Sequence, residues 1–175
     1  MAHLLHKEIG LLEKKLLAVS AIAEENIHKA IKAVDERDRE LAKTVIDSDS
    51  DIDRMEVELE EDCLKVLALY QPVAVDLRVI ISVLKINNDL ERVGDLAALI
   101  AERAVLLADL PDIASPFDLY DMAQRAWSMV RESLQALTEM SVESARNVCE
   151  SDREVDAMNR ENREIIESAV WGNAK

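Results

Sequence analysis

The chain has 175 residues, a formal net charge of −15, 3% aromatic residues, three Gly and three Pro. That length suits one sizeable domain or two small packed units. The acidic balance excludes a phosphate-backbone binder and a basic membrane-anchoring surface, so neither nucleic acid nor direct membrane insertion is expected.

Ala, Leu, Val, Ile and Glu dominate, which favours long helices over strands. Apolar residues recur at Leu5, Ile9, Leu12, Leu16, Val19, Ala23, Ile27, Ala30 and Val34. These steps of three and four predict a first helix over about 3–34. A charged break at Asp35–Asp38 leads to a second helix over about 39–69. Pro72 then opens a third, about 73–109, since proline is favourable just inside a helix start. Pro111 and Pro116 flank a linker in which Ser115 is a candidate N-cap region, followed by a fourth helix over about 117–139. Ser141 is a candidate N-cap for a fifth helix, about 142–170.

Cys63 and Cys149 are isolated and have no metal-type spacing, which fits a reducing compartment. Charges at Lys7, Glu8, Glu13, Lys14 and Lys15 interrupt the apolar residues at the start, so no signal-peptide layout is present. No run of ~18 apolar residues would cross a membrane as a helix. The expected location is the cytoplasm.

A shift of 103 positions lays the first part of the chain on the second. Ala23 meets Ala126, Ala33 meets Ala136, Ala42 meets Ala145 and Val45 meets Val148. Ser48-Asp49 meets Ser151-Asp152, Asp53 meets Asp156 and Met55 meets Met158. A period of that size suggests a duplicated three-helix unit rather than a solenoid. Under the same shift Lys175 falls on Pro72, so the second copy holds only two helices. The expected division is a first unit over 1–110 and an incomplete second unit over 111–175.

Three acidic pairs stand four residues apart: Asp49 with Asp53, Glu91 with Asp95, and Asp152 with Asp156. Residues at i and i+4 share a helix face, and like charges there destabilise the helix by a few tenths of a kcal/mol. A bound cation reverses that sign, and carboxylate oxygens are hard ligands for such ions. A solvated acidic face is the plainer alternative. Gly94 lies between Glu91 and Asp95, where a helical glycine costs ~1 kcal/mol relative to alanine. Close helix packing and a role in the acidic site both account for it.

Glu25-x-x-His28 fits only half of a carboxylate-bridged di-iron motif, and His3 and His6 do not complete it. Neither a nucleophile–base pairing nor a phosphate-cradling glycine loop is visible, so no enzyme activity is expected.

Residues 71–102 carry a more specific signal. Gln71, Pro72, Ala74, Asp76, Leu77 and Arg78 form one block; Glu91, Arg92, Gly94, Asp95, Ala97, Ile100, Ala101 and Glu102 form another. The two blocks and their spacing resemble the PhoU family of phosphate-uptake regulators. Leu99 departs from the pattern, which usually has Asn there. The resemblance implies an all-α fold, a PhoU-like pair of three-helix-bundle repeats, here with the second reduced to two helices. It implies metal ligation by Asp49, Asp53, Glu91, Asp95, Asp152 and Asp156, the ion being iron, zinc, magnesium or manganese.

It further implies a cytoplasmic regulator that damps the phosphate-starvation response through contact with a phosphate ABC transporter ATPase and a sensor histidine kinase. A metal-binding bundle, a structural scaffold without a phosphate role and a fragment of a longer regulator are the other readings. Val130, Leu134, Leu137, Val148, Val155 and Met158 would line a seam that lacks its third wall, so self-association is expected.

Overall fold

The structure is a computed structural model that describes residues 2–111 and 118–172. Among the described residues the regular structure is helical: α1 (Ala2–Glu36), α2 (Arg39–Tyr70), α3 (Ala74–Leu107), α4 (Leu119–Thr138) and α5 (Val142–Gly172). The chain divides into two compact units, 1–110 and 111–175.

In the first unit α1, α2 and α3 all pack on one another. The seam read along α1 is the buried one: Leu12, Leu16, Val19, Ala23 and Ala30 are at most 2% exposed, and Ile27 and Val34 are partly buried. Ile52, Leu59, Ile80, Val83 and Leu90 fill the middle of the bundle. Towards the α1–α2 turn the core becomes small, with Ala30, Ala33, Ala42, Ala97, Ala101 and Ala104 around Val45. Small side chains there let the helix axes approach closely.

The turns follow from local chemistry. The Asp38 carboxylate accepts a hydrogen bond from the Leu41 amide at 2.9 Å and caps α2. Arg37, just before it, is left-handed (φ 54°), and its guanidinium donates to the carbonyls of Leu107 and Leu110 at 3.2 and 2.6 Å. The α1–α2 turn thereby caps the far end of α3. Gln71 ends α2 in a left-handed conformation, its amide bonded to the Leu67 carbonyl at 3.1 Å. Pro72 is buried in the connection, and α3 begins at Ala74, one residue past the expected start. Ala74 enters that helix at φ 51°, and the Val73 N-cap makes no side-chain capping bond.

In the second unit α4 and α5 form a two-helix pair. Ser115 lies outside the described residues; the cap of α4 is Asp118, which accepts from the Asp121 amide at 2.9 Å. The Ser141 hydroxyl accepts from the Ser144 amide at 3.2 Å, in keeping with its reading as the cap of α5. Leu134 is buried, while Val130, Leu137, Val148, Val155 and Met158 are half-buried. None of the described side chains of α5 is fully buried. The seam is therefore formed from two sides.

Candidate metal centre

Asp49 and Asp53 stand one turn apart on α2, and Asp95 comes from α3. The three carboxylates each bring an oxygen to within 4.8 Å of the others. What allows this is the missing side chain at position 94. A Cβ built on Gly94 would lie 2.8 Å from Ile52 Cδ1, 3.3 Å from Ile52 Cγ2 and 3.6 Å from Asp49 Oδ1. Ile52 is completely buried and points from α2 into the space that a glycine leaves on α3. The two readings of Gly94 thus merge: close packing of the helices is what assembles the carboxylates.

Two buried amides tie α2 to its neighbours. Asn87 on α3 is fully buried and donates from Nδ2 to the Glu56 carbonyl of α2 at 2.9 Å. Asn26 on α1 is also buried and lies 2.9 Å from the hydroxyl of Ser48, the neighbour of Asp49. Asn87 thus ties the backbone of α2 to α3, and Asn26 ties α1 to α2 by accepting from the Ser48 side chain.

The electrostatics are those of crowded anions. Burial pushes the Asp49 carboxyl above its ordinary value, and repulsion from Asp53 and Asp95 adds to the effect. Burial also raises Glu91, reinforced by Asp95, Asp53, Glu56 and Asp49. Glu56 is raised by burial, then by Glu60 and Asp53. Asp49 Oδ1 is buried without a hydrogen-bond partner. A buried carboxylate oxygen facing like charges is costly, and a hard cation would satisfy all three carboxylates at once. The donor set fits such an ion: oxygen only, from two rigid helices.

Of the residues singled out by spacing, Asp49, Asp53 and Asp95 come together and Glu91 lies in their field. Asp152 and Asp156 do not join them. Both are exposed on α5, and among the described residues no third carboxylate closes on them at that distance. Their counterparts in the first unit meet Asp95 on a third helix, which α4 and α5 do not supply. Glu56 escaped the pairwise reading, although Asp49, Asp53, Glu56 and Glu60 recur at steps of four, three and four on one face of α2. Read as a stripe, they would have found it. The stripe continues into a groove of about 480 Å³ lined by Glu56, Glu60, Lys85, Asn88 and Asp89.

A three-helix bundle with an acidic cluster between its second and third helices, and a partial second copy of the same unit, defines an all-α helical-repeat protein. The PhoU domain matches residues 16–104 and 119–174, one stretch in each unit, and the chain belongs to the PhoU family. It is 38% identical over 154 residues to a phosphate-specific transport system accessory protein PhoU homologue of Aquifex aeolicus, covering 88% of this chain and 70% of that protein. A homologue of the same description from Pseudomonas putida is 34% identical over 150 residues, covering 85% of this chain and 59% of the relative. The crystal structure of PhoU from Pseudomonas aeruginosa superposes with a TM-score of 0.87 at 30% identity, covering 95% of this chain and 80% of that one. A phosphate transport system regulatory protein PhoU from Streptococcus pneumoniae gives 0.84 at 27% identity, over 97% and 78% of the two chains.

Proposed function

We propose that this chain regulates phosphate uptake as an accessory protein of a phosphate-specific transport system, working by protein contact in the cytoplasm and not by catalysis. The contacts would be with the ATPase of a phosphate ABC transporter and with a sensor histidine kinase, so that uptake and the starvation response are damped together. Family membership supports the phosphate role. The observation that carries the site is the buried, unpartnered Asp49 oxygen facing Asp53 and Asp95.

In this reading a divalent or ferric ion, whether iron, zinc, magnesium or manganese, binds Asp49, Asp53 and Asp95. Glu91 adds negative field from the next turn of α3. The ion would supply positive charge that ties α2 to α3 and stiffens the docking surfaces of the first unit. Asp152 and Asp156 would bind an ion only with further carboxylates, which the described residues of α4 and α5 do not bring to them.

The test is a strain lacking its own copy of this regulator and carrying a phosphate-starvation reporter. The wild-type chain should lower the reporter in high phosphate, and Asp49→Asn with Asp95→Asn should not. Equal repression by both would remove the site from regulation. A metal-loaded protein that leaves phosphate uptake and the reporter untouched would favour the metal-binding bundle without a phosphate role.

A further inference from the structure

A second feature of the first unit lies away from the acidic cluster. Between α1 and α2 runs a groove of about 410 Å³ to which α3 contributes no residue. Leu11, Leu69 and Tyr70 line it over a floor that includes buried Leu12 and Val66. Leu11 is 45% exposed and Leu69 67%, so apolar surface is left open to water. Lys14, Lys15 and Lys65 stand among them. Lys15 is paired across the groove with Asp62, whereas Lys14 and Lys65 make no ion pair among the described residues.

Two considerations set this groove apart. The chain carries a charge of −15, yet lysines outnumber acids here: Lys14, Lys15 and Lys65 stand against Glu8 and Asp62, with Asp62 already paired to Lys15. Packing of the repeat does not require them: the shift of 103 positions lays Lys14, Lys15 and Lys65 on Phe117, Asp118 and Ser168. The α1 side extends from Glu8 to Ala18, about 15 Å at the rise of an α-helix, or some three turns. A helix lying there would make a fourth member of the bundle, with apolar anchors seated between two helices.

We propose that the α1–α2 groove is a docking site for an acidic amphipathic helix of a partner protein. Its apolar anchors would pack on Leu11, Leu69 and Tyr70, and its flanking carboxylates would face Lys14 and Lys65, the two lysines that Asp62 does not engage. This gives the protein-contact part of the proposed function a location and a partner chemistry. It rests on that reading only in taking the occupant to be another protein, and it involves neither phosphate nor metal.

The experiment uses the full chain and a fluorescein-labelled helical peptide with leucines at i, i+3, i+4 and i+7 and glutamates on the flanking positions. A counterpart peptide carries lysines in place of the glutamates. Fluorescence anisotropy should show binding of the acidic peptide alone, weakened by salt. Lys14→Glu with Lys65→Glu should weaken it at least about tenfold, as reversal of two rim charges implies. Leu69→Ser should weaken it as well. If the reversed pair fails to fold by circular dichroism, Lys14→Ala with Lys65→Ala replaces it, with the same direction expected.

Equal binding of the two peptides, or none, overturns the proposal, as does a charge-reversed chain that binds like wild type. Lysine-dependent binding to vesicles of anionic lipid would reassign the groove to a membrane surface. A dimer by sedimentation that the same substitutions convert to monomer would reassign it to a second copy. Unchanged phosphate repression in strains carrying Lys14→Glu and Lys65→Glu, despite peptide binding in vitro, would instead count against the regulatory reading.

Discussion

Gly94 and Ile52 decide how near α3 comes to α2, and the cost of altering either can be stated. Gly94→Ala gains about 1 kcal/mol of helix propensity but drives a methyl into Ile52, which is fully buried and has little room to move. Overpacking of this kind costs roughly 1–3 kcal/mol, so net destabilisation is expected in denaturant melts. Ile52→Val removes the atom at 2.8 Å and should recover part of the loss in the double variant. An alanine variant as stable as wild type would mean that the helices do not meet there.

The carboxylates yield a second prediction, with a sign that depends on metal. Asp49, Glu56 and Glu91 all hold their protons more tightly than usual, mainly through burial. A folded value above the unfolded one means that stability is greatest below the ordinary carboxylate range, about pH 4, and falls as pH rises through the raised values. Metal-free Asp49→Asn should therefore be more stable than wild type at neutral pH, by about 0.5 kcal/mol, the scale of a removed like-charge pair. The gap should close on acidification. With metal at a hundred times its dissociation constant the order reverses: wild type gains about 2.7 kcal/mol and the variant far less. Thermal melts with and without chelator read both signs.

At the scale of elements, the periodic runs carried the helices because most seam positions of α1 are apolar at steps of three and four, and those positions are buried. Caps were legible where one side chain does the work, as at Ser141. α3 starts at Ala74, one residue past its expected position, because buried Pro72 belongs to the connection, and Ala74 takes up a left-handed conformation that no residue pattern announces. Ala74→Gly relieves a left-handed alanine and should stabilise the first unit by about 1 kcal/mol; a loss in the same melt would show that the methyl packs usefully. The acidic pairs on α2 and α3 were visible as pairs. That α2 supplies two members of the trio and α3 one was not visible, because the register of two helices is set by Ile52 against Gly94 and not by either sequence alone.

The whole molecule is uneven in how its two units are filled. The first buries apolar residues from all three of its helices; among the described residues of the second the buried ones are Trp127, Leu134 and Ala136, all on α4. Small units with thin cores seldom fold alone. A fragment of residues 1–110 should unfold cooperatively, whereas one of 111–175 should melt gradually or only with a partner present. Circular dichroism of the two fragments distinguishes these outcomes, and a sharp independent transition in the second would refute the argument.

The fit of Ile52 against Gly94 also has a mechanical side. A slide of α3 along α2 by one turn, about 5.4 Å, would bring Leu90 or Ala98 to the place of the glycine. Either carries a Cβ where Ile52 leaves no room, and the bond from Asn87 to the Glu56 carbonyl would break as well. A one-turn slide of this pair is therefore disfavoured by roughly 1–3 kcal/mol of overpacking and by a lost hydrogen bond. A ligand seated between them would meet less resistance in drawing the two helices together or tilting them than in sliding one past the other.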